Sequence, residues 1–299
     1  MWATSLSARQ MCDSLLWIPR NRAIRLPNYT ETNHSTMIHP TAIVHPDAEL
    51  GMGVEIGPYS IIEGTVKIGD RTKIDARVSI KGHTTIGADN EIFTGAVIGS
   101  MTQDKKYKGG VSYIRIGDRN KIREYVTVNS GTDDGTETVI GSDNLIMAYA
   151  HIAHDCILKN HITLANNGTL AGHVIIDDRA IIGGFGAVHQ FVRIGYLAII
   201  GGCSKVVQDV PPYVIADGHP AKIYGLNSVG LERAQVSNEE RSNLKRAFKV
   251  LFRSGSAAKI ALKKAEAELP KSQAVKTLIQ FIQQSERGIC KSASESESE

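Results

Sequence analysis

Residues 140–188 read IGSDNLIMAYAHIAHDCILKNHITLANNGTLAGHVIIDDRAIIGGFGAV and contain a regular repeat. An aliphatic residue falls at every sixth position, from Ile140 to Val188. The same spacing extends back to Ile38 and forward to Val206, with two interruptions. Neither the helical period of 3.6 nor the strand alternation of 2 produces a strict period of six. A hexapeptide-repeat parallel β-helix does, and we therefore predict that fold.

A second inward position lies two residues before each aliphatic residue and usually holds a small or β-branched side chain, as at Ala150 and Val174. Side chains two apart face the same side of a strand, so the two positions together fill the interior. Three hexapeptides then form one triangular coil of about 18 residues, with residue n beneath residue n + 18 at a spacing of about 4.8 Å.

Glycine directly follows the aliphatic residue nine times, and we expect these glycines to supply the positive φ of sharp corners. The nine are Gly57, Gly69, Gly87, Gly99, Gly117, Gly141, Gly183, Gly195 and Gly201.

The repeat also predicts the domain organisation. It is lost at 99–114 and 129–138, which are polar and contain glycine, so we predict loops ejected from a β-helix that spans 37–215. Two prolines close the repeat, and helical patterns then predict a small α-helical domain over 216–288. The acidic, low-complexity end predicts a disordered tail at 289–299.

Residues 1–36 are rich in arginine and serine and poor in acids. This composition predicts a transit peptide and an organellar location, with the mitochondrion preferred to the plastid. A disordered extension without a targeting role is the alternative.

Composition argues against several other classes of protein. The formal net charge is only +3 and the basic residues are scattered, which does not favour nucleic-acid binding. The four cysteines lie far apart without a C-x-x-C pair, which argues against a zinc ribbon or a disulfide scaffold. No apolar run reaches the roughly 20 residues of a membrane-spanning helix.

The six-residue register separates the hexapeptide HIAHDC at 151–156 into residues that face the core and residues at a corner. Ile152 and Cys156 face inward, so we predict that Cys156 is an inert core thiol. His154 and Asp155 lie at a corner of the coil.

Other polar groups converge on the same corner. Gly172 lies 18 residues beyond His154, and Gln190 lies 18 residues beyond Gly172. His173 is the neighbour of Gly172, and His151 lies on the strand that leads into the corner.

Three interpretations of this cluster remain open. In acyl transfer to a hydroxyl, a histidine is the general base and a glycine N–H holds the oxyanion. In a hexapeptide-repeat metal hydratase, three histidines hold zinc, often across a subunit boundary. The third interpretation is a non-catalytic scaffold with surface histidines.

The run HIAHDCILKNHITLANNGTLAGHVIIDDRAIIGGFGAVHQFVRIG, followed by GGCSKVVQDVPPYVIADG, resembles the UDP-N-acetylglucosamine O-acyltransferases of lipid A biosynthesis. The similarity extends from about Ile38 to Gly288 and includes QDKKY and IGDRNKIREYVTV. The resemblance implies a homotrimer of left-handed parallel β-helices, with active sites between subunits. It also implies transfer of an (R)-3-hydroxyacyl group from acyl carrier protein to the 3-hydroxyl of UDP-N-acetylglucosamine, without a metal or cofactor. The runner-up within acyl transfer is the N-acyltransferase that acts later in the same pathway.

The resemblance also implies roles for individual residues. His154 matches the general base, Asp155 would hold or polarise it, and Gly172 matches the oxyanion donor. Gly202 matches the position that limits acyl-chain length, and a glycine there implies room for a chain near hydroxymyristoyl. The positions that match substrate contacts are Asp104, Lys106, His151, His173, Gln190, Asn227 and Arg233.

Two departures from the family pattern affect substrate contacts. Asn129 replaces a histidine that is common in bacterial members, and Ala234 follows Arg233 where a second arginine is frequent. These departures put the phosphate and carrier-protein contacts in doubt, and leave the chemistry unchanged.

Overall fold

The computed structural model describes residues 36–254, 258–270 and 272–293. The predicted transit peptide, apart from its last residue, and the end of the predicted tail at 294–299 lie outside the described residues.

Short strands, most of them two residues long, follow one another at the six-residue spacing. The first fourteen are β1 (Met37–Ile38), β2 (Ile43–Val44), β3 (Glu49–Leu50), β4 (Glu55–Ile56), β5 (Ile61–Ile62), β6 (Lys67–Ile68), β7 (Lys73–Ile74), β8 (Ser79–Ile80), β9 (His83–Ile86), β10 (Glu91–Ile92), β11 (Val97–Ser100), β12 (Tyr113–Ile116), β13 (Lys121–Ile122) and β14 (Thr127–Asn129). The next twelve are β15 (Glu137–Ile140), β16 (Leu145–Ile146), β17 (His151–Ile152), β18 (Ile157–Leu158), β19 (Thr163–Leu164), β20 (Thr169–Leu170), β21 (Ile175–Ile176), β22 (Ile181–Ile182), β23 (Ala187–Val188), β24 (Arg193–Ile194), β25 (Ile199–Ile200) and β26 (Lys205–Val206).

Every third strand pairs in parallel, which builds three sheets around one interior. The sheets have the orders β1-β4-β7-β10-β13-β16-β19-β22-β25, β2-β5-β8-β11-β14-β17-β20-β23-β26 and β3-β6-β9-β12-β15-β18-β21-β24. The register is the predicted one, with His151 paired to Thr169 and Ile152 paired to Leu170. This confirms the predicted fold class, a left-handed parallel β-helix followed by a few helices.

The repeated aliphatic residues form the core. Ile98, Ile152 and Leu170 are completely buried, and Ile62 is nearly so. Fully burying a side chain of this size contributes about 1.5–3 kcal/mol, so a column of them stabilises a fold whose strands are only two residues long. Cys156 is buried in the same core, as predicted.

The corners of successive coils stack into three edges of the prism. We name them by their upper residues: edge A carries 154–155, 172–173 and 190–191, edge B carries 160–161, 178–179 and 196–197, and edge C carries 166–167, 184–185 and 202–203.

The role predicted for the nine glycines is wrong for all of them except Gly99. Left-handed φ values lie instead at the second residue of each corner, such as Asp155 (58°) and His173 (59°). Glycine is needed at these positions because neighbouring coils approach so closely that a side chain would clash. A Cβ on Gly57 or Gly183 would lie 2.7 Å from a backbone carbon of the next coil.

Two excursions leave the prism where the repeat is interrupted, and both are shorter than predicted. The first loop is 101–112, between β11 and β12, and the second loop is 130–136, between β14 and β15. The residues at the ends of the predicted loops 99–114 and 129–138 stay in the ladder, because their backbone groups still pair with the neighbouring coil.

An antiparallel hairpin follows the last coil, β27 (Val214–Gly218) with β28 (Ala221–Leu226), where helices were predicted from 216 onward. The hairpin adds two strands to the open end of one sheet, since β27 pairs with β25. The strong proline signal before it had suggested that pairing stopped there. The helices come later: α1 (Ser228–Arg233), α2 (Asn238–Phe252), α3 (Ala258–Glu268) and α4 (Gln273–Gln283).

After α4, the chain crosses back over the last coil. Asp209 N–H donates to Gly288 O (3.0 Å), and Cys290 N–H donates to Asp209 O (2.9 Å). Ser292 forms a bridge with Ile223. The prediction of a disordered tail is therefore wrong for 289–293, because composition does not reveal this pairing. Within the described residues, no helix is long and apolar enough to cross a membrane.

Candidate active site

His154 lies at edge A and is almost buried, with 8% of its surface exposed. Its Nδ1 lies 2.8 Å from Asp155 Oδ2. An ionised carboxylate can only accept, so Nδ1 carries the proton and donates, which leaves the lone pair on Nε2. The sequence therefore places an oriented base at a corner, and the structure brings its predicted partner into contact with it.

The Asp155 carboxylate is held by several donors. Its Oδ2 accepts from Thr132 N–H (3.1 Å) as well as from His154, and His173 Nε2 lies 3.7 Å away. Burial alone raises the pKa of Asp155, but the hydrogen bond from His154 and those from two threonines outweigh burial. The pKa therefore lies below its ordinary value of 3.8, and Asp155 is an anion at neutral pH.

Gly172 lies directly against the imidazole, one coil above His154. A Cβ on Gly172 would come within 2.3 Å of His154 Cε1 and 2.5 Å of its Nε2. Among the hydrogen bonds of the described residues, none uses the Gly172 N–H as donor. This corner therefore combines a bare backbone with a free donor beside the lone pair of His154.

Two further histidines border the same corner. His151 Nδ1 lies 2.7 Å from Thr127 Oγ1, and burial, with a smaller contribution from the charge of His154, lowers the pKa of His151 below 6.5. His173 stacks on Phe191, with ring centroids 4.5 Å apart and planes 7° from parallel. The same ring meets His154 edge-on at 5.2 Å.

The first loop brings Asp104 to the base. Asp104 Oδ2 lies 3.8 Å from His154 Nε2, the atom that carries the lone pair. Lys106 donates its backbone N–H to Asp104 Oδ1 (2.9 Å), and its side chain is exposed. Loop residues that were predicted only from the resemblance thus lie at the same corner as the histidines.

The remaining predicted residues lie elsewhere in the chain. Gln190 is exposed on edge A, one coil above Gly172. Gly202 is exposed on edge C. Arg233 is exposed at the last position of α1.

Asn227 has a structural use that the sequence did not suggest. It is the N-cap of α1, where its Oδ1 accepts from Gly230 N–H at 2.8 Å. Its Nδ2 donates to Leu197 O, on edge B, at 2.8 Å. The amide is thus held at edge B, so a single chain does not bring Asn227 to His154.

Three potential metal ligands meet at edge A. Ligand atoms of His154, Asp155 and His173 all lie within 4.8 Å of one another. The set contains two histidines and one carboxylate, whereas the hydratase interpretation required three histidines. His154 Nδ1 and the carboxylate are also occupied by their mutual hydrogen bond.

Sequence reasoning missed four residues that shape the site. Thr138 Oγ1 accepts from Asp155 N–H (2.8 Å), and Phe191 lies 18 residues after His173 in the same column, so the register could have found both. Thr127 pairs with the strand of His151 across the second loop, which hides the spacing. Thr132 lies within that loop, where no periodicity could have placed it.

Comparison with known proteins identifies a family. Residues 209–290 match a family model described as UDP-N-acetylglucosamine O-acyltransferase, domain 2. The acyl-[acyl-carrier-protein]–UDP-N-acetylglucosamine O-acyltransferase of Janthinobacterium sp. (strain Marseille) is 50% identical over 259 residues, which cover 85% of this chain and 99% of the relative.

Solved structures give the same result. The structure of LpxA from Acinetobacter baumannii has a TM-score of 0.82 at 43% identity and covers 85% of this chain and 100% of its own. LpxA of Bacteroides fragilis, a UDP-N-acetylglucosamine acyltransferase, has a TM-score of 0.83 at 44% identity with the same coverage, 85% and 100%. The predicted resemblance is confirmed, and the chain belongs to the family of acyl-[acyl-carrier-protein]–UDP-N-acetylglucosamine O-acyltransferases.

Proposed function

We propose that this chain transfers an (R)-3-hydroxyacyl group from acyl carrier protein to the 3-hydroxyl of UDP-N-acetylglucosamine, as the first step of lipid A biosynthesis. Family membership supports the reaction class. The observation that carries the proposal is the buried His154–Asp155 pair, which lies against the bare backbone of Gly172.

His154 is the general base. Its Nε2 takes the proton of the sugar hydroxyl as the oxygen attacks the thioester carbonyl. Asp155 accepts from Nδ1–H, so it fixes the tautomer and stabilises the imidazolium that forms. A neighbouring anion serves this purpose better than a neutral group, and the lowered pKa keeps Asp155 ionised.

Gly172 stabilises the intermediate. Attack turns the thioester oxygen into an oxyanion, and a backbone N–H beside the base can donate to it. When the intermediate collapses, the carbon–sulfur bond breaks and the imidazolium returns its proton to the departing thiolate. The products are the ester and the free thiol of the carrier protein.

A direct assay tests the reaction. Purified protein is incubated with UDP-N-acetylglucosamine and (R)-3-hydroxyacyl carrier proteins of graded chain length, and products are identified by mass spectrometry. We expect one O-acylated nucleotide sugar per thiol released. Release of thiol without an acylated sugar would contradict the proposal.

The acyl preference is a proposal about Gly202. The resemblance implies that a glycine at this position leaves room for a chain near hydroxymyristoyl, and Gly202 is exposed on edge C. Gly202→Met should shift the preferred substrate to a shorter chain in the same assay. An unchanged preference would mean that Gly202 does not determine the length of the acyl chain.

The metal-hydratase interpretation is the second candidate, since His154, Asp155 and His173 converge. We propose that the enzyme needs no resident metal or cofactor, because Nε2 must stay free to accept a proton. Elemental analysis of the purified protein and activity after chelation test this. Stoichiometric zinc that is required for turnover would overturn it.

The homotrimer is also a proposal, and it rests on an exposed aromatic column. Tyr59, Tyr125, Tyr149 and Phe185 lie along edge C and are each about half exposed or more, from 49% to 65%. Tyr125 and Tyr149 stack directly, with ring centroids 5.2 Å apart, and Arg77, Gly95 and Asn167 separate the others. Exposed apolar patches of this kind mark interfaces. Gly202 and Asn227 lie on other edges than His154, so a neighbouring copy is needed to bring them to one cleft.

We propose an organellar location from the composition of residues 1–36, with the mitochondrion preferred. Fusion of this segment to a fluorescent protein tests the proposal in eukaryotic cells. We expect mitochondrial fluorescence, whereas diffuse fluorescence would contradict a targeting role.

A further inference from the structure

A closed ring of polar contacts joins the two loops to the candidate base. Asp104 N–H donates to Thr102 Oγ1 (3.1 Å), which lies 3.0 Å from Thr132 Oγ1. Thr132 N–H donates to Asp155 Oδ2 (3.1 Å). The same oxygen accepts from His154 Nδ1 (2.8 Å), and the ring is completed only by the approach of His154 Nε2 to Asp104 Oδ2 at 3.8 Å, which is too long for a hydrogen bond.

The two threonine hydroxyls are the link between the halves of this ring. Thr102 belongs to the first loop, which carries Asp104, and Thr132 belongs to the second loop, which holds Asp155. Both are buried, with 5% and 6% of their surfaces exposed. Separating the pair would leave two buried hydroxyls without a hydrogen-bond partner, which is energetically unfavourable.

The loops also touch outside the ring. Ser112 Oγ lies 3.0 Å from Ser130 Oγ, which is a second hydroxyl pair between the same loops. This pair is half-buried and contacts neither Asp104 nor Asp155 among the described hydrogen bonds. It therefore provides a matched comparison for the threonine pair.

We propose that Thr102 and Thr132 are positioning residues that place Asp104 and the His154–Asp155 pair as one unit. The inference deepens the proposed function and rests on it. Thr102 also accepts from Asp104 N–H, and Thr132 also donates to Asp155, so the contact between the two hydroxyls sets where Asp104 lies relative to His154 Nε2. The position of Asp104, the predicted substrate contact, is therefore coupled to the position of His154, the base.

Valine substitutions test the pair, since they keep the volume and remove the hydroxyl. Thr102→Val and Thr132→Val should each lower kcat/KM by roughly 2- to 10-fold, the effect of one neutral hydrogen bond. The double variant should be no worse than the poorer single variant, because the hydroxyls act on each other. Ser112→Ala should leave kcat/KM unchanged.

The separate constants distinguish positioning from simple loss of folded enzyme. A misplaced Asp104 and a misplaced base should raise KM for UDP-N-acetylglucosamine and lower kcat together. A smaller active fraction would lower kcat at constant KM. In an Asp104→Asn background, Thr102→Val should add less than it does in the wild type. A full additional loss there, or unchanged constants in both single variants, would overturn the inference.

Hydrogen exchange tests the same coupling without turnover. The Thr132 amide should exchange faster in Thr102→Val than in the wild type, although the substitution lies in the other loop. Ser112→Ala should leave that amide protected. Unchanged exchange in Thr102→Val would overturn the coupling, whereas a wild type that exchanges as expected but transfers no acyl group would overturn the proposed function alone.

Discussion

Gly172 has to be glycine because the imidazole of His154 lies against its α-carbon. Gly184 and Gly202, the first residues of two corners on edge C, are less restricted. At Gly184, on edge C, an added Cβ would meet only Asn166 O at 3.4 Å, an ordinary contact. Glycine is therefore required at position 172 because of the contact with His154, and not because the hexapeptide repeat needs a glycine there.

We predict that Gly172→Ala displaces His154 and lowers kcat by roughly 10² or more, since the added Cβ would overlap Cε1 at 2.3 Å. Steady-state transfer rates measure this. Gly184→Ala is the control and should keep its rate. Equal rates for the two variants would show that the imidazole can move without consequence.

His151 makes the stability of the protein depend on pH. Its pKa is lowered, mainly by burial, so below about pH 6.5 the unfolded chain binds more protons than the folded one. This contribution to stability is therefore complete above 6.5 and is lost as the pH falls through the folded pKa.

We predict that acidification from about pH 7.5 to about pH 5.5 destabilises the wild type more than His151→Gln, which has no charge to gain. Urea unfolding at one protein concentration, repeated at several pH values, measures how steeply the free energy of unfolding depends on pH in each protein. Identical slopes would mean that His151 is not protected from protonation in the folded state.

The sequence predicted some residues better than others. Cys156 was identified as a core thiol from its register alone, and the structure confirms this, since burial raises its pKa to about 12. Asn227 was known only through resemblance, which gave no sign of its cap on α1. The six-residue register shows which residues of the repeat face the core. Contacts made by residues outside the repeat follow no periodic pattern, so the sequence does not predict them.

At the scale of elements, the same limit applies to the loops. The loss of the repeat showed where the chain leaves the prism, yet nothing in the polar sequence showed that the loops pair with each other. Gly135 N–H donates to Val111 O (2.7 Å), and Asp134 Oδ1 accepts from Val111 N–H (2.7 Å). These local contacts hold the two loops together.

The closing segment after α4 was missed for a similar reason. Its anchor is Asp209, a buried carboxylate that accepts from Arg193 N–H (2.8 Å) and from Ser285 Oγ (2.7 Å). An acid two residues before a pair of prolines resembles a loop residue in sequence. Its partner lies 76 residues away, which no short-range pattern can show.

We predict that Asp209→Ala lowers the free energy of unfolding by about 1–3 kcal/mol, because it leaves buried donors without an acceptor. Ser285→Ala should cost less, since it removes one donor together with its bond. Asp47→Ala, whose side chain is 81% exposed, is the control and should have little effect. A neutral Asp209→Ala would show that the closing segment does not depend on this anchor.

Within the whole molecule, the single prism distributes the candidate site residues over three edges. His154, Asp104 and Gly172 converge on edge A, whereas Gly202 lies on edge C and Asn227 bonds to edge B. The period of six predicted the prism almost completely, because it reports burial directly. The contacts between prisms leave no such period, so the homotrimer rests on resemblance and on the exposed aromatic column.

We predict that Phe185→Glu, a charge placed among the exposed aromatic residues of edge C, converts the proposed homotrimer to monomers and lowers activity although His154 is untouched. Analytical ultracentrifugation gives the mass. Arg179→Glu on edge B is the control for the change of charge and should keep the mass of the wild type. A trimeric Phe185→Glu with full activity would place the interface elsewhere.

In the proposed function, His154 is the base of an acyl transfer to a hydroxyl. The most direct measurement compares wild type and His154→Ala for transfer from (R)-3-hydroxyacyl carrier protein to UDP-N-acetylglucosamine, with mass and circular dichroism checked on the same samples. We predict a loss of about 10² to 10⁴ in kcat with the assembly and fold intact. Turnover at the rate of the wild type in His154→Ala would contradict the account.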